Sequence, residues 1–469
     1  MRPMKLMTTY RPDDIRNIAL LGSGGVGKTT LAEALLLRTG AVTRMGSVNE
    51  GTTVSDFDPE DKRHHHSTHS SLLFGSWEGK EINIIDTPGH PELIGQALAA
   101  LAAVETAVIV VDAVLGVEDH TLRLFKAAGE LGLARMIVVN RIDQAANLAT
   151  LVASLKSELG PHLHCINLPV RSASDVIDCF DHEVGHADFG SVAAIHRELL
   201  EASIEVDDGE VERYFAGERI DLAARRRCFV KAMIAGHVIP VLFTAGRSGV
   251  GVVDLLHILA AEGPSPAHAR PRRLMRGGAV VDIACDATAP FLAHVFKVTT
   301  DPQHGRLAML RILQGTFDSG TIFVAAHDKK ARRANQVLKI EGRERFELGV
   351  AALAGDIVAV AKIEDLHVGQ VIHAVGLSED YAPLSPSYPP PTLSLGLDVV
   401  ERKDAGKLAV ALAQLVEEDP TLHLDTDPKT HAPILRGLGE LHLRIIIERL
   451  KSRFAISVKT HAVATPPTP

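Results

Sequence analysis

The sequence predicts an α/β domain built on a parallel sheet flanked by helices, followed by a small antiparallel β-barrel and an α+β domain. Three observations carry this prediction. The stretch Gly22-Ser23-Gly24-Gly25-Val26-Gly27-Lys28-Thr29 joins an apolar run, Ile18–Leu21, to Leu31, Ala34 and Leu35 at helical spacing, which makes a strand–loop–helix unit. Val108–Asp112 and Met136–Asn140 are apolar runs that each end in one polar residue, the pattern of parallel strands covered on both faces. Beyond Gly263 the rhythm changes, first to short alternating runs between turn residues and then to a β-α-β-β-α-β order, the split βαβ or ferredoxin-like pattern.

The glycine-rich stretch reads G-x-x-x-x-G-K-T, a phosphate-binding loop. Several backbone N–H groups must turn toward one anion, at dihedral angles that a Cβ resists. Lys28 is expected to reach the β- and γ-phosphates, Thr29 to set its hydroxyl on Mg²⁺, and Thr30 to open the helix whose positive end faces the phosphates. A strand through Ile82, Ile84 and Ile85 leads to Asp86-Thr87-Pro88-Gly89-His90. There Asp86 is expected to hold Mg²⁺ through water and the Gly89 N–H to meet the γ-phosphate. In Asn140-Arg141-Ile142-Asp143, the Asp143 carboxylate can accept both N1–H and N2–H₂ of guanine, a donor pair adenine lacks. Asn140 braces the base against the phosphate loop, and Thr244-Ala245 offers a backbone N–H to the guanine oxygen. All these motifs end apolar strands, where ligands of parallel sheets bind. The ligands are therefore GTP or GDP with Mg²⁺. His90 is either a plain exposed turn residue or the group that orients attacking water; Lys28 and His90 are the expected catalytic pair.

Taken in order, residues 1–268 form the first domain. Within it, the polar segment 46–71 is too rich in Asp, His, Ser and Thr for a core, and the charge-rich segment 155–238 reads as an insertion. Ile239–Ala245 resumes the strand pattern, Leu255, Leu256 and Leu259 suggest a closing helix, and Gly263-Pro-Ser-Pro266 is a linker. The barrel is expected over 280–378, with turns such as Asp301–Gly305 and Asp318–Gly320. Prolines 383, 386, 389, 390 and 391 mark a second linker, the split βαβ unit covers 390–462, and 463–469 is a Pro-rich tail.

The 469 residues carry a net charge of −9, which gives no global field favouring nucleic acid. Basic clusters at Arg225–Arg227, Arg270–Arg276 and Lys329–Arg333 are solvated faces or local RNA contacts. Cys165, Cys179, Cys228 and Cys285 show no paired spacing, which argues for free thiols. No apolar run is long enough for a bilayer, and the N-terminus lacks a signal-peptide core. A cytoplasmic protein without DNA or membrane partners is expected.

The ordered motifs resemble those of translational GTPases of the elongation factor G family, above all its elongation factor G-like proteins. Gly51–Glu60 is similar to that group's switch I, and Val111–Glu118 to the strand before its guanine motif. Glu417-Glu-Asp-Pro-Thr421 and Arg436-Gly-Leu-Gly-Glu-Leu-His442 resemble its third domain. The resemblance implies a P-loop GTPase domain in a monomeric, GTP-hydrolysing factor that docks on the ribosome. It also implies that the barrel faces the small subunit and the GTPase domain the large one.

Four departures accompany it. The family ends switch I with Arg, Gly or Gln, Ile, then Thr or Ser, whereas this chain reads Arg63-His64-His65-His66-Ser67. His66 thus stands where the Mg²⁺-binding hydroxyl is expected, unless Ser67 supplies it after a one-residue shift. His64, His65, His66 and His69 suit a transition metal or a solvated loop. Arg141 replaces a Lys, its stem still able to pack on the base, and Gly25 replaces an Asp common in these GTPases. Finally, the chain stops where the family's fourth domain begins, so it is not expected to translocate tRNA by the family's mechanism. The leading reading is a GTPase acting on the ribosome. The alternative is a GTP-sensing, ribosome-binding module with little hydrolysis, and Asp143 speaks against an ATP-dependent phosphotransferase.

Overall fold

A computed structural model describes residues 5–463, apart from residues 7, 327, 329, 378–380, 385 and 429. Lys329 of the third basic cluster and the Pro-rich tail from Ala464 lie outside the described residues. The first domain holds a seven-stranded sheet: β1 (Ile15–Leu21), β2 (Ser71–Trp77), β3 (Lys80–Asp86), β4 (Thr106–Asp112), β5 (Ala134–Asn140), β6 (Leu163–Cys165) and β7 (Ile239–Phe243). The order is β2-β3-β1-β4-β5-β7-β6. β2 runs antiparallel to β3 across a tight turn at Glu78-Gly79, and the other pairings are parallel.

The apolar runs form strands because both faces are covered. Ile18 and Leu20 of β1 enter a core with Leu31 and Leu35 of helix α1 (Lys28–Arg38), whereas Ala19 and Leu21 enter a second core with Leu98 and Leu101. Burying each Leu or Ile contributes roughly 1.5–3 kcal/mol. This double-sided burial holds the carboxyl ends of β1, β3, β5 and β7 in fixed register and so positions the loops that follow them.

The segment 155–238 does not stand wholly apart from this sheet. Its β6 pairs with Ile239–Val241 of β7 and becomes the edge strand. Three residues carry too little periodicity to declare a strand. The rest of the segment forms a hairpin, Asn167–Val170 with Asp175–Asp178, and three helices: Val192–Ile204, Asp208–Phe215 and Leu222–Ala235.

Next comes an antiparallel half-barrel, whose long hairpin is Leu292–Asp301 with Gly305–Gln314. Phe291, Phe317 and Phe323 pack together inside it, the first two rings stacked at 4.8 Å. A buried polar seam fastens it to the first domain. Glu105 accepts from Arg272 at 2.8 Å, from Arg311 at 2.7 Å and from Asn17 at 2.7 Å. The two linkers are not independent coils, because Arg272–Arg276 pairs with both Ala279–Ile283 and Tyr381–Pro383.

The last unit has strands Leu393–Val399, His423–Thr426, Pro433–Gly437 and Val458–Ala462, with the first strand between the third and fourth. Helices Ala405–Glu418 and Glu440–Phe454 drop Leu412, Leu415, Leu443 and Ile446 onto one core with Leu397 and Leu435. Among the described residues no helix is long and apolar enough to cross a membrane. All four cysteines are free thiols.

Candidate nucleotide site

The glycine loop leaves β1 and closes on α1 through left-handed turns. Gly22 (φ 132°) lies so close to β4 that an added Cβ would strike the Val110 carbonyl. Gly27 (φ 91°) caps α1 beside the Asn140 amide. Ser23 is tied to the helix Asp119–Glu130, its N–H donating to Thr121 Oγ1 at 3.2 Å. Gly24 and Gly25 stay exposed. Lys28 is buried and folds back so that Nζ donates to the Gly22 and Ser23 carbonyls, both at 2.8 Å. Burial draws its pKa down to about 8, with the nearby Asp86 charge opposing the fall. The ammonium thus stands in a dry loop with only neutral carbonyl partners, a setting in which a phosphate anion is favoured.

Asp86 ends β3 against this loop. Thr87 Oγ1 donates to the Leu20 carbonyl at 2.6 Å, fixing the turn, and a Cβ on Gly89 would meet Gly24 N at 2.6 Å. Both oxygens of Asp86 and both of Asp56 are buried without a well-formed hydrogen bond. Burial raises the Asp86 pKa to about 7; the neighbouring Asp56 pushes the same way, and the Thr29 hydroxyl opposes. Asp56 is raised too, by burial and by Asp61, with the Ser67 hydroxyl opposing. Thr29 Oγ1 lies 3.2 Å from Ser67 Oγ. Two hydroxyls and two unsatisfied carboxylates therefore converge at the mouth of the phosphate loop. That oxygen-only set fits Mg²⁺.

Of the two registers left open for switch I, at His66 or at Ser67, it is Ser67 that lies beside Thr29. Helix α2 (Pro59–His64) is started by a capping box between Asp58 and Asp61 and stopped by His65 in the left-handed region (φ 53°). That turn presents Ser67 to Thr29 and sends His66 against His90, with ring centroids 6.3 Å apart and planes 17° off parallel. His90 is half-buried, its pKa lowered by burial, and its Nδ1 accepts from the Glu92 N–H at 3.3 Å. His120, on the helix that touches Ser23, is buried with neither ring nitrogen partnered, and burial draws its pKa to about 4.

The base side is braced by one amide. Asn140 Nδ2 donates to the Val26 carbonyl at 3.0 Å, and its Oδ1 accepts from Gly246 N at 2.9 Å and Thr244 Oγ1 at 3.2 Å. Arg141 (φ 64°) donates to Asp112 at 2.8 Å, so its guanidinium is tied down beside Gly27. Ile142 is buried and Asp143 exposed. The backbone N–H expected from Thr244 or Ala245 is not free. Thr244 N donates to the Val139 carbonyl at 2.8 Å and Ala245 N to the Val250 carbonyl at 3.0 Å.

Asp56, Glu33 and His120 are residues that the motifs did not single out. Glu33 is buried and accepts the Gly46 and Val54 N–H groups at 2.7 and 2.6 Å, which anchors the start of switch I to α1. Asp56 lay inside the switch I stretch, Gly51–Glu60, but nothing in its spacing marked it as buried.

Sequence models of three domains match the chain in series. They are the elongation factor Tu GTP binding domain over residues 13–265, elongation factor G domain 2 over 290–375, and elongation factor G domain III over 388–462. The chain belongs to the elongation factor G family. This family member is 32% identical to elongation factor G 2 of Streptomyces coelicolor over 96% of its own length and 68% of the relative's. It is 30% identical to the elongation factor G-like protein of Mycobacterium tuberculosis, covering 98% of itself and 68% of that protein. The crystal structure of a Thermus thermophilus protein superposes with a TM-score of 0.84 at 33% identity, covering 97% of this chain and 68% of that one.

Proposed function

We propose that this elongation factor G-family chain binds GTP with Mg²⁺ and hydrolyses it as a monomeric cytoplasmic translation factor acting on the ribosome. One observation carries the reading: the Thr29 and Ser67 hydroxyls meet beside the unsatisfied carboxylates of Asp86 and Asp56. Thr29, Ser67 and Asp86 hold the Mg²⁺, and Asp56 supports it. The ion neutralises charge on the transferring phosphoryl group. Lys28 leaves its two carbonyl partners for the β- and γ-phosphates, and the N–H groups of Gly24 to Thr30 line the rest of the cradle. The Gly89 N–H senses the γ-phosphate, and His90, neutral because burial lowers its pKa, orients the attacking water. Asn140 and Asp143 select guanine. The sensor-only reading loses its main motive, because Ser67 rather than His66 adjoins Thr29.

GTP turnover measured with and without ribosomes tests this. Stimulation by ribosomes is expected; bound GTP with no ribosome-dependent turnover would overturn it.

A further inference from the structure

The histidine run disperses in three dimensions. His64 Nε2 lies 3.0 Å from Glu448, His66 stacks on His90, and His69 turns toward a different pair of groups. Its Nδ1 is 3.4 Å from Asp61 Oδ2 and 3.7 Å from Asp58 Oδ2. One ligand atom from each of these three residues lies within 4.8 Å of the other two. Nδ1 is enclosed and has no hydrogen-bond partner.

His69 and Asp61 are held from behind. The His69 ring meets Phe57 edge-on at 5.2 Å, and its Nε2 lies 3.4 Å from Ser71 Oγ. Asp61 Oδ1 accepts both the Thr68 N–H and its hydroxyl at 2.7 and 2.6 Å, while Oδ2 accepts weakly from Asp58 N at 3.3 Å and faces His69. Arg453 donates to Asp58 Oδ2 at 2.7 Å, the oxygen that also faces His69, so an ion bound there shares that oxygen with the guanidinium or displaces it.

Separations of 3.4 and 3.7 Å are long for an imidazolium–carboxylate hydrogen bond, which runs about 2.7–2.9 Å. They approach the roughly 3.4 Å between two ligands that each lie ~2.1 Å from a tetrahedral zinc. We propose that Asp58, Asp61 and His69 form a binding site for a divalent transition metal of the zinc class, with two oxygen ligands, one nitrogen ligand and a fourth position open to water. The imidazole favours such an ion over Mg²⁺. The site is separate from the Thr29–Asp86 cluster and does not depend on GTP hydrolysis. Asp58 caps α2, Asp61 lies within it and His69 follows it, so the ligands lie on both sides of Ser67 and the metal staples the segment that presents that hydroxyl.

The test uses the full chain saturated with Mg²⁺ and GDP, so that the nucleotide-linked site is filled. Zinc chloride is titrated by calorimetry, and bound zinc is counted after dialysis. One equivalent is expected. His69→Gln and Asp58→Asn should each weaken it by about 100-fold, whereas the triple substitution His64→Asn/His65→Asn/His66→Asn should hold it within about threefold. Co²⁺ in place of zinc should give the intense visible band of a four-coordinate ion, lost in His69→Gln. Unchanged GDP affinity in the variants checks the fold. No bound equivalent in the native chain, or one insensitive to both His69→Gln and Asp58→Asn, overturns the proposal. Loss in the triple variant alone would move the site to the histidine run and overturn it as well.

Discussion

The two ends of the candidate nucleotide site are held by different parts of the chain. On the base side, every anchor of Asn140 comes from the first domain: Val26, Thr244 and Gly246. On the side of the phosphate loop, first-domain anchors such as Thr121 on Ser23, Leu20 on Thr87 and Glu33 on Gly46 and Val54 are joined by anchors from the third domain. Asp58 bonds Arg453, Glu60 bonds Ser452, Arg63 bonds Glu448, and Thr68 accepts from Arg449. The turn after His90 is tied there too, with Glu92 accepting the His442 N–H at 3.0 Å and Gln96 donating to the Glu418 carbonyl at 3.0 Å. The base half is held within one domain, whereas the phosphate half is held by two.

The most damaging way to probe this contrast is Asn140→Ala. It leaves buried groups of Val26 and Gly246 unpaired, and about 3 kcal/mol of stability should be lost, seen as a lower denaturant midpoint with unchanged slope. If the base half is self-supporting, contacts to the third domain will not rescue it. Ser67→Ala should act on the other half only. GTP turnover should fall roughly 30-fold with GDP affinity nearly kept, while His66→Thr should change turnover less than threefold. Equal effects of the two substitutions would show that Ser67 is not the hydroxyl that matters.

A pH titration sharpens the same division. The Asp86 pKa is raised from 3.8 to about 7, so the folded chain holds a proton that the unfolded chain has released. Stability of the Mg²⁺-free protein should therefore fall as pH rises from about 4 to 7 and level off above that window. Asp86→Asn should reduce this slope in thermal melts, leaving the share of Glu262, which burial also raises to about 7, and Mg²⁺ should then add little. The smallest effect is expected from Glu448→Ala. Its partners are partly exposed, so less than about 1 kcal/mol should be lost, with a modest drop in protease protection of 58–69 and none near Asn140.

What could be read from residues alone follows the same line. The glycine loop, the Asp86 turn and Asn140 were legible because each joins a strong strand pattern to a residue type that only one geometry uses. The register at Ser67 was legible only as an alternative to His66, because it depends on where α2 stops, and that is decided by a single left-handed residue, His65, after a six-residue helix. The free N–H expected at Thr244-Ala245 failed for a similar reason. Carbonyls of Val139 and Val250 take those donors, and neither pairing has a local signature. Burial of Asp56 depends on packing between distant segments, which no spacing announces. The strand Leu163–Cys165 was too short to show a period, and the ribbon joining the two linkers pairs residues about a hundred positions apart.

That ribbon has a topological consequence. With Leu274 opposite Pro383 and Arg276 opposite Tyr381, the chain goes into the half-barrel and comes out of it at one neck. The two ends of the β unit therefore lie side by side, while its body is fastened to the first domain by Arg311 on Glu105, Lys297 on Ser70 and a shared apolar core that includes Phe296, Leu307 and Met309. Joining its two ends at that neck keeps the path from the GTPase domain to the third domain short whatever the length of the β unit between them. Exchanging the unit, however, would leave the buried Glu105 without Arg311.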